Sequence, residues 1–180
     1  MNFNNILFIV AMQLTALLLV VFFVRRKRLS FRTDIGIKLP RLEQAIYWSI
    51  LFFILIQIEE YTFYANEAKN SEPWALKYTH FEILFRAIAI VILAPLSEEL
   101  LFRGLFYSRL LKTKLRTVGA ILIPAIVFTA IHVQYSEILI LMAIFIDGIF
   151  YGLARHYSKS VVLTFFLHAS ANLMAIFHQL

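Results

Sequence analysis

Three short patterns in this 180-residue chain set acidic, basic and amide groups inside otherwise apolar stretches. Glu98-Glu99 is followed by Arg103, Phe128 by His132, and His168 by Asn172. Glu99 to Arg103, Phe128 to His132 and His168 to Asn172 are each i,i+4 pairs, which share one face of a helix. Arg103 therefore neutralises Glu99, while Glu98 points about 100° away and has no partner in its own helix. Two adjacent carboxylates repel, which keeps one of them protonated or poised as a base. This set can hydrolyse an amide in two ways. In one, a glutamate deprotonates water that His132 orients, and His168 and Asn172 donate to the developing oxyanion. In the other, Glu98, His132 and His168 hold zinc, which acidifies the water. Phe128 and Asp147 support either arrangement, with Asp147 a buried partner for a histidine or for Arg103.

Other hydrolytic designs do not fit the sequence. No histidine is followed by glutamate, so the HExxH zinc helix is missing, and no Gly-x-Ser-x-Gly occurs. Cysteine is absent, which removes thiol nucleophiles and disulfides. An aspartyl dyad needs two membrane aspartates, and Asp34 lies in a basic loop, leaving Asp147 alone.

The elements that carry these groups are membrane helices. The chain is 61% apolar and only 16% charged, with mean hydropathy +0.79, which excludes an ordinary soluble domain. Six continuous apolar stretches, without period-two alternation, read as helices: 6–24, 45–58, 81–111, 118–133, 138–154 and 161–177. Several fall short of the ~20 residues of a full crossing, so tilt or locally thinned membrane is expected. The net charge of +6 is not spread as a nucleic-acid footprint. Seven basic residues lie between Arg25 and Arg41, four between Arg109 and Arg116, and two at Arg155 and Lys159. Alternate loops are thus basic, the pattern of a multi-pass cell-membrane protein with basic loops in the cytoplasm and both termini outside. Lipid is the expected surroundings, and nucleic acid is not a partner.

Depth gives the patterns a common origin. At about 1.5 Å per residue from the nearest basic boundary, Glu98 lies ~16 Å deep, His132 ~21 Å, Asn172 ~18 Å, and His168 and Asp147 ~12 Å. Residues from separate helices thus meet in one middle layer. Pro95 is expected to kink the third stretch beside the glutamates. Gly148 and Gly152 let the fifth approach a neighbour. Glu82 and Arg86 are expected to pair near the outer end of the third.

In order and separation, EExxxR at 98–103, FxxxH at 128–132 and HxxxN at 168–172 resemble the motifs of the CAAX protease and bacteriocin-processing (CPBP, or Abi) family of intramembrane proteases. Ala94-Pro95, Phe102-Arg103-Gly104, and Gly152 followed by Arg155 resemble it as well. The resemblance covers residues 81–178. It implies an all-α transmembrane bundle with a polar cavity, in which 81–180 is a four-span catalytic core and 1–80 adds two spans. It also implies a (metallo-)endopeptidase acting on a peptide or protein at the membrane, such as a prenylated CAAX protein or a leader peptide. Glu98 and His132 then activate water, His168 and Asn172 form the oxyanion hole, and Glu99 with Arg103 supports them. The competing expectation is a non-enzymatic bacteriocin-immunity or scaffold protein that uses the same cluster for binding.

Overall fold

The first helix follows from an uninterrupted apolar run that stops at consecutive arginines: α1 spans Phe3–Arg26. The computed structural model describes residues 3–64, 74–132, 135 and 137–177. Residues 65–73, between the second and third apolar stretches, lie outside them, as does His178. Among the described residues there is no strand. α2 (Leu42–Glu59) continues into a π-helical turn at Glu60–Tyr64, and α3 (Trp74–Lys77) is a single turn. A third rod runs unbroken over residues 80–110 and changes register along its length. It consists of α4 (His80–Ile88), a π-helical segment Ala89–Leu93, α5 (Ala94–Glu99), a second π-helical segment Leu100–Phe106, and α6 (Tyr107–Leu110). Then come α7 (Arg116–Ala130), α8 (Ile138–Ser158) and α9 (Val161–Phe177).

The outward faces show what surrounds the bundle. Phe8, Leu18, Phe53 and Val118 are 66%, 70%, 63% and 68% exposed, on helices that carry almost no charge to keep them in water. Ile6–Arg26, Leu42–Thr62 and Ile138–Ser158 are long and apolar enough to cross a membrane, and α7 and α9 are shorter apolar helices. The chain is an all-helical membrane bundle.

Two glycines bring α7 and α8 together, as the small-residue spacing implies. A Cβ at Gly148 would lie 2.9 Å from the Ala125 Cβ, and one at Gly152 would lie 2.9 Å from the Ile121 Cγ2. At the start of the third rod, Glu82 completes a capping box by accepting from the Thr79 backbone N–H and hydroxyl, each at 2.9 Å. Arg86 is buried and stacks over the Tyr78 ring at 3.8 Å. Arg86 is also in electrostatic reach of Glu82, as the four-residue spacing implies.

The loop after α1 folds back under the bundle. Ser30 caps a π-helical turn, Phe31–Ile35, that buries Ile35 against Val20, Val24 and Leu105. The turn ends at Gly36, whose φ of 90° suits glycine, and a Cβ there would strike the Arg155 guanidinium at 2.6 Å. Arg155 does not mark a solvated boundary, as its place in the sequence suggests; it is 3% exposed. Its guanidinium donates to the carbonyls of Arg103, Asp34 and Ile35 at 3.0, 3.3 and 3.1 Å, and packs over Tyr107. This buried fork ties the loop to the third rod.

On the loop's outer side, Ser30 N–H and then Lys112 hold the Asp34 carboxyl below its ordinary value of 3.8. A depressed carboxyl stabilises the fold above its unfolded pKa, and that stabilisation is lost as pH falls through the lower folded value. Comparing Asp34→Asn with the parent by thermal unfolding in detergent should show a gap at pH 7 that closes below pH 3.8. A gap independent of pH would refute the assignment. Gly148→Val should cost about 1–3 kcal/mol through overpacking, whereas Val118→Ala on the outer face should stay within about 0.5 kcal/mol.

Candidate active site

The break at Pro95 takes the form of π-helical turns, a common feature of functional sites. The Ala94 N–H bonds the Ala89 carbonyl, five residues back. In that register the next donor would serve Ile90, but residue 95 is proline and has no N–H. Asn172 of α9 supplies the missing donor, its Nδ2 bonding the Ile90 carbonyl at 2.8 Å. One amide hydrogen of Asn172 therefore fastens α9 to the third rod, and the second is left for other use.

One turn further along, Glu99 is fully buried and Arg103 is 1% exposed. Arg103 Nη1 donates to Glu99 Oε1 at 2.9 Å, as the i,i+4 spacing implies, and Nη2 donates to the Gly148 carbonyl at 3.1 Å. The guanidinium lies between the rings of Phe128 and Tyr151, 4.8 and 5.3 Å from their centroids. Phe128, expected only as support, thus packs on the cation and also meets His168 edge-on at 5.6 Å.

His168 joins the two glutamates. Its Nδ1 is 3.1 Å from Glu99 Oε1, and its Nε2 is 3.8 Å from Glu98 Oε2. The imidazole stacks on Tyr151 at 5.2 Å with 16° between the planes. An ionised carboxylate only accepts, so Nδ1 carries a proton toward Glu99. Three carboxylates, Glu98, Glu99 and Asp147, lie near His168 and the Arg103 guanidinium. His168 thus stands between the two glutamates, hydrogen-bonded to Glu99 and within ion-pair distance of Glu98.

His132 stands at the end of α7, half-buried, with Nδ1 2.6 Å from the Phe128 carbonyl. A carbonyl only accepts, so the proton sits on Nδ1 and the Nε2 lone pair is free to act as a base. The ring lies 4.5 Å from Phe128 and stacks with Tyr135 at 6.4 Å. No group of three or more His, Cys, Asp or Glu residues among those described is arranged to hold a metal. Glu98, His132 and His168 accordingly do not compose a zinc site in this conformation.

Asp147 lies behind His168 and Arg103, in electrostatic reach of both, but its Oδ1 has no hydrogen-bond partner. The expected pairing is thus electrostatic. Two participants are not evident from the sequence motifs. Glu59, just past the second apolar stretch, is 2% exposed and lies in electrostatic reach of Asp147 from α2. Gln13, in the first apolar stretch, donates from Nε2 to Glu98 Oε1 at 3.0 Å. A lone amide in a span was the available signal.

Residues 80–174 match the family described as type II CAAX prenyl endopeptidase, Rce1-like. The match takes in over half of the chain and all three motifs, so the chain belongs to that family. An uncharacterised 24.3 kDa protein of Escherichia coli is 36% identical over 99 residues, which are 53% of this chain. Those residues span only 44% of that relative's length. No solved structure matches the chain.

Arg103→Met should leave Glu99 charged and buried, at a cost of about 3–5 kcal/mol. Adding Glu99→Gln should recover most of that loss. Thermal unfolding of both variants in detergent tests the charge balance, and equal destabilisation by the single and double changes would refute it.

Proposed function

We propose that this protein is an intramembrane endopeptidase that hydrolyses a peptide bond of a membrane-associated substrate, with a prenylated CAAX-type peptide as the first candidate. The observation that carries the proposal is the continuous chain Arg103–Glu99–His168–Glu98 inside a member of a CAAX endopeptidase family. Glu98 removes a proton from water, and the free Nε2 of His132 accepts the water's other hydrogen and fixes its direction. Hydroxide attacks the carbonyl carbon. His168, protonated on both nitrogens and backed by Glu99, donates to the oxyanion, together with the second Asn172 hydrogen. Glu98 then passes its proton to the leaving amine. Glu99 and Arg103 hold His168 in place, Phe128 walls the site, and Asp147 adds negative potential behind it.

The proposal extends to topology and organisation. Residues 81–180 form the catalytic core and 1–80 supply two further spans, so that the chain crosses the membrane six times. The basic loops face the cytoplasm, where a peptide substrate is delivered, and the termini face outward. The charge pattern supports this orientation.

Purified protein in liposomes should cleave a fluorogenic farnesylated CAAX peptide. Glu98→Gln and His132→Ala should each lower the rate by about 10²–10⁴-fold, with Ser170→Ala unaffected. Treatment with phenanthroline should leave the rate unchanged, and loss of activity with stoichiometric zinc in the parent protein would replace direct water activation with a metal. Survival of biological function in Glu98→Gln, with loss in Gly148→Val, would identify a binding scaffold instead.

A further inference from the structure

The third rod carries Glu98 toward α1, a helix outside the region matched by the family. Between Ile6 and Arg26, α1 holds two uncharged polar side chains, Gln13 and Thr15. Thr15 is exposed and bonds its own helix, donating to the Ala11 carbonyl at 2.8 Å. Gln13 is half-buried and turns inward. Its Nε2 donates to Glu98 Oε1 at 3.0 Å, and its Oε1 accepts from the hydroxyl of Ser97, a residue with no exposure at all. Ser97 also reaches the Ala94 carbonyl at 2.9 Å.

We infer that Gln13 is a positioning residue for Glu98, holding its carboxylate in both of the protonation states that hydrolysis requires. With Glu98 ionised, the amide N–H donates to it, as found here. With Glu98 protonated, the acid becomes a donor and an N–H opposite it no longer matches. Rotation of the amide by half a turn corrects this: Oε1 accepts from the Glu98 acid, and Nε2 donates to Ser97 Oγ. The Ser97 hydrogen then goes to Ala94, an acceptor already in place. Glu98 thereby keeps one oxygen anchored throughout the cycle, while the other, Oε2, faces His168. Glutamine suits this role because it offers donor and acceptor on one rotatable group and brings no charge into the membrane. The inference rests on the proposed use of Glu98 as the base.

Three variants test it. Gln13→Met keeps the volume and removes both hydrogen bonds, Gln13→Glu keeps the shape and titrates, and Thr15→Val alters the same helix without touching the site. With the farnesylated peptide, Gln13→Met should lower kcat about tenfold with little change in KM, the scale expected of a misplaced catalytic group. Gln13→Glu should regain activity as pH falls, because the introduced carboxyl, once protonated, again donates to Glu98. Thr15→Val should match the parent. A second readout needs no substrate: dicyclohexylcarbodiimide labels protonated carboxyls in apolar surroundings, and losing the N–H donor favours the acid form of Glu98. Mass spectrometry should show Glu98 labelled several-fold faster in Gln13→Met than in the parent. Equal labelling, or a kcat loss shared with Thr15→Val, overturns the role of Gln13. If the parent labels as described but cuts no peptide, the proposed endopeptidase activity fails while the positioning role stands.

Discussion

The buried ion pair of Glu99 and Arg103 is the constraint around which the rest of this bundle is arranged. Each charge costs at least about 2.5–3.5 kcal/mol at membrane depth, and neither is tolerable alone. Their mutual contact leaves further valences on the guanidinium, and the neighbouring helices meet those valences in turn. α8 gives the Gly148 carbonyl and the Tyr151 ring, α7 gives the Phe128 ring, and α9 gives His168 to the carboxylate. Close approach of α7 and α8, made possible by glycine, sets the width of the slot in which the guanidinium lies flat. Packing and electrostatics are therefore one problem here: loosening the helices would uncover the charge, and removing the charge would leave the helices lined with unsatisfied polar atoms.

The π-helical turns on either side of Glu98-Glu99 belong to the same solution. A regular α-helix through Pro95 would leave an unpaired carbonyl and a ring clash. The wider register moves the unpaired carbonyl to Ile90, where a side chain from α9 can reach it. At the other end the carbonyl of Arg103 is met by Arg155, which also gathers the loop 31–36. Both irregular stretches of the rod are thus closed by side chains from α8 or α9.

The sequence made the all-helical membrane class readable through unbroken apolar runs, with α9 at the expected limits and α8 extended by four residues. It also exposed the Glu99–Arg103 pair, because i,i+4 spacing is a local rule, and the helix approach at Gly148 and Gly152. What it concealed were contacts between residues far apart in the chain. Arg155 looks like a boundary charge until the loop carbonyls are seen around it. Glu59 likewise sits at the end of an apolar run but turns into the protein. Gln13 is 85 residues from Glu98, and no periodicity connects them. Pro95 announced an irregularity but not its form, since a kink and a π-helical turn have the same sequence signal.

The span of the Gln13–Glu98–His168 connection has a bearing on biosynthesis. Glu98 emerges from the ribosome long after α1, and the imidazole that bonds Glu99 follows 69 residues after that carboxylate. At about 5–20 residues per second, this is an interval of several seconds. Gln13 of α1, by contrast, precedes Glu98 in the chain, so the amide that bonds this carboxylate is synthesised before it. The hydrogen-bond partners of the two glutamates are thus divided in time, the Glu98 partner Gln13 coming before the pair and the Glu99 partner His168 after it.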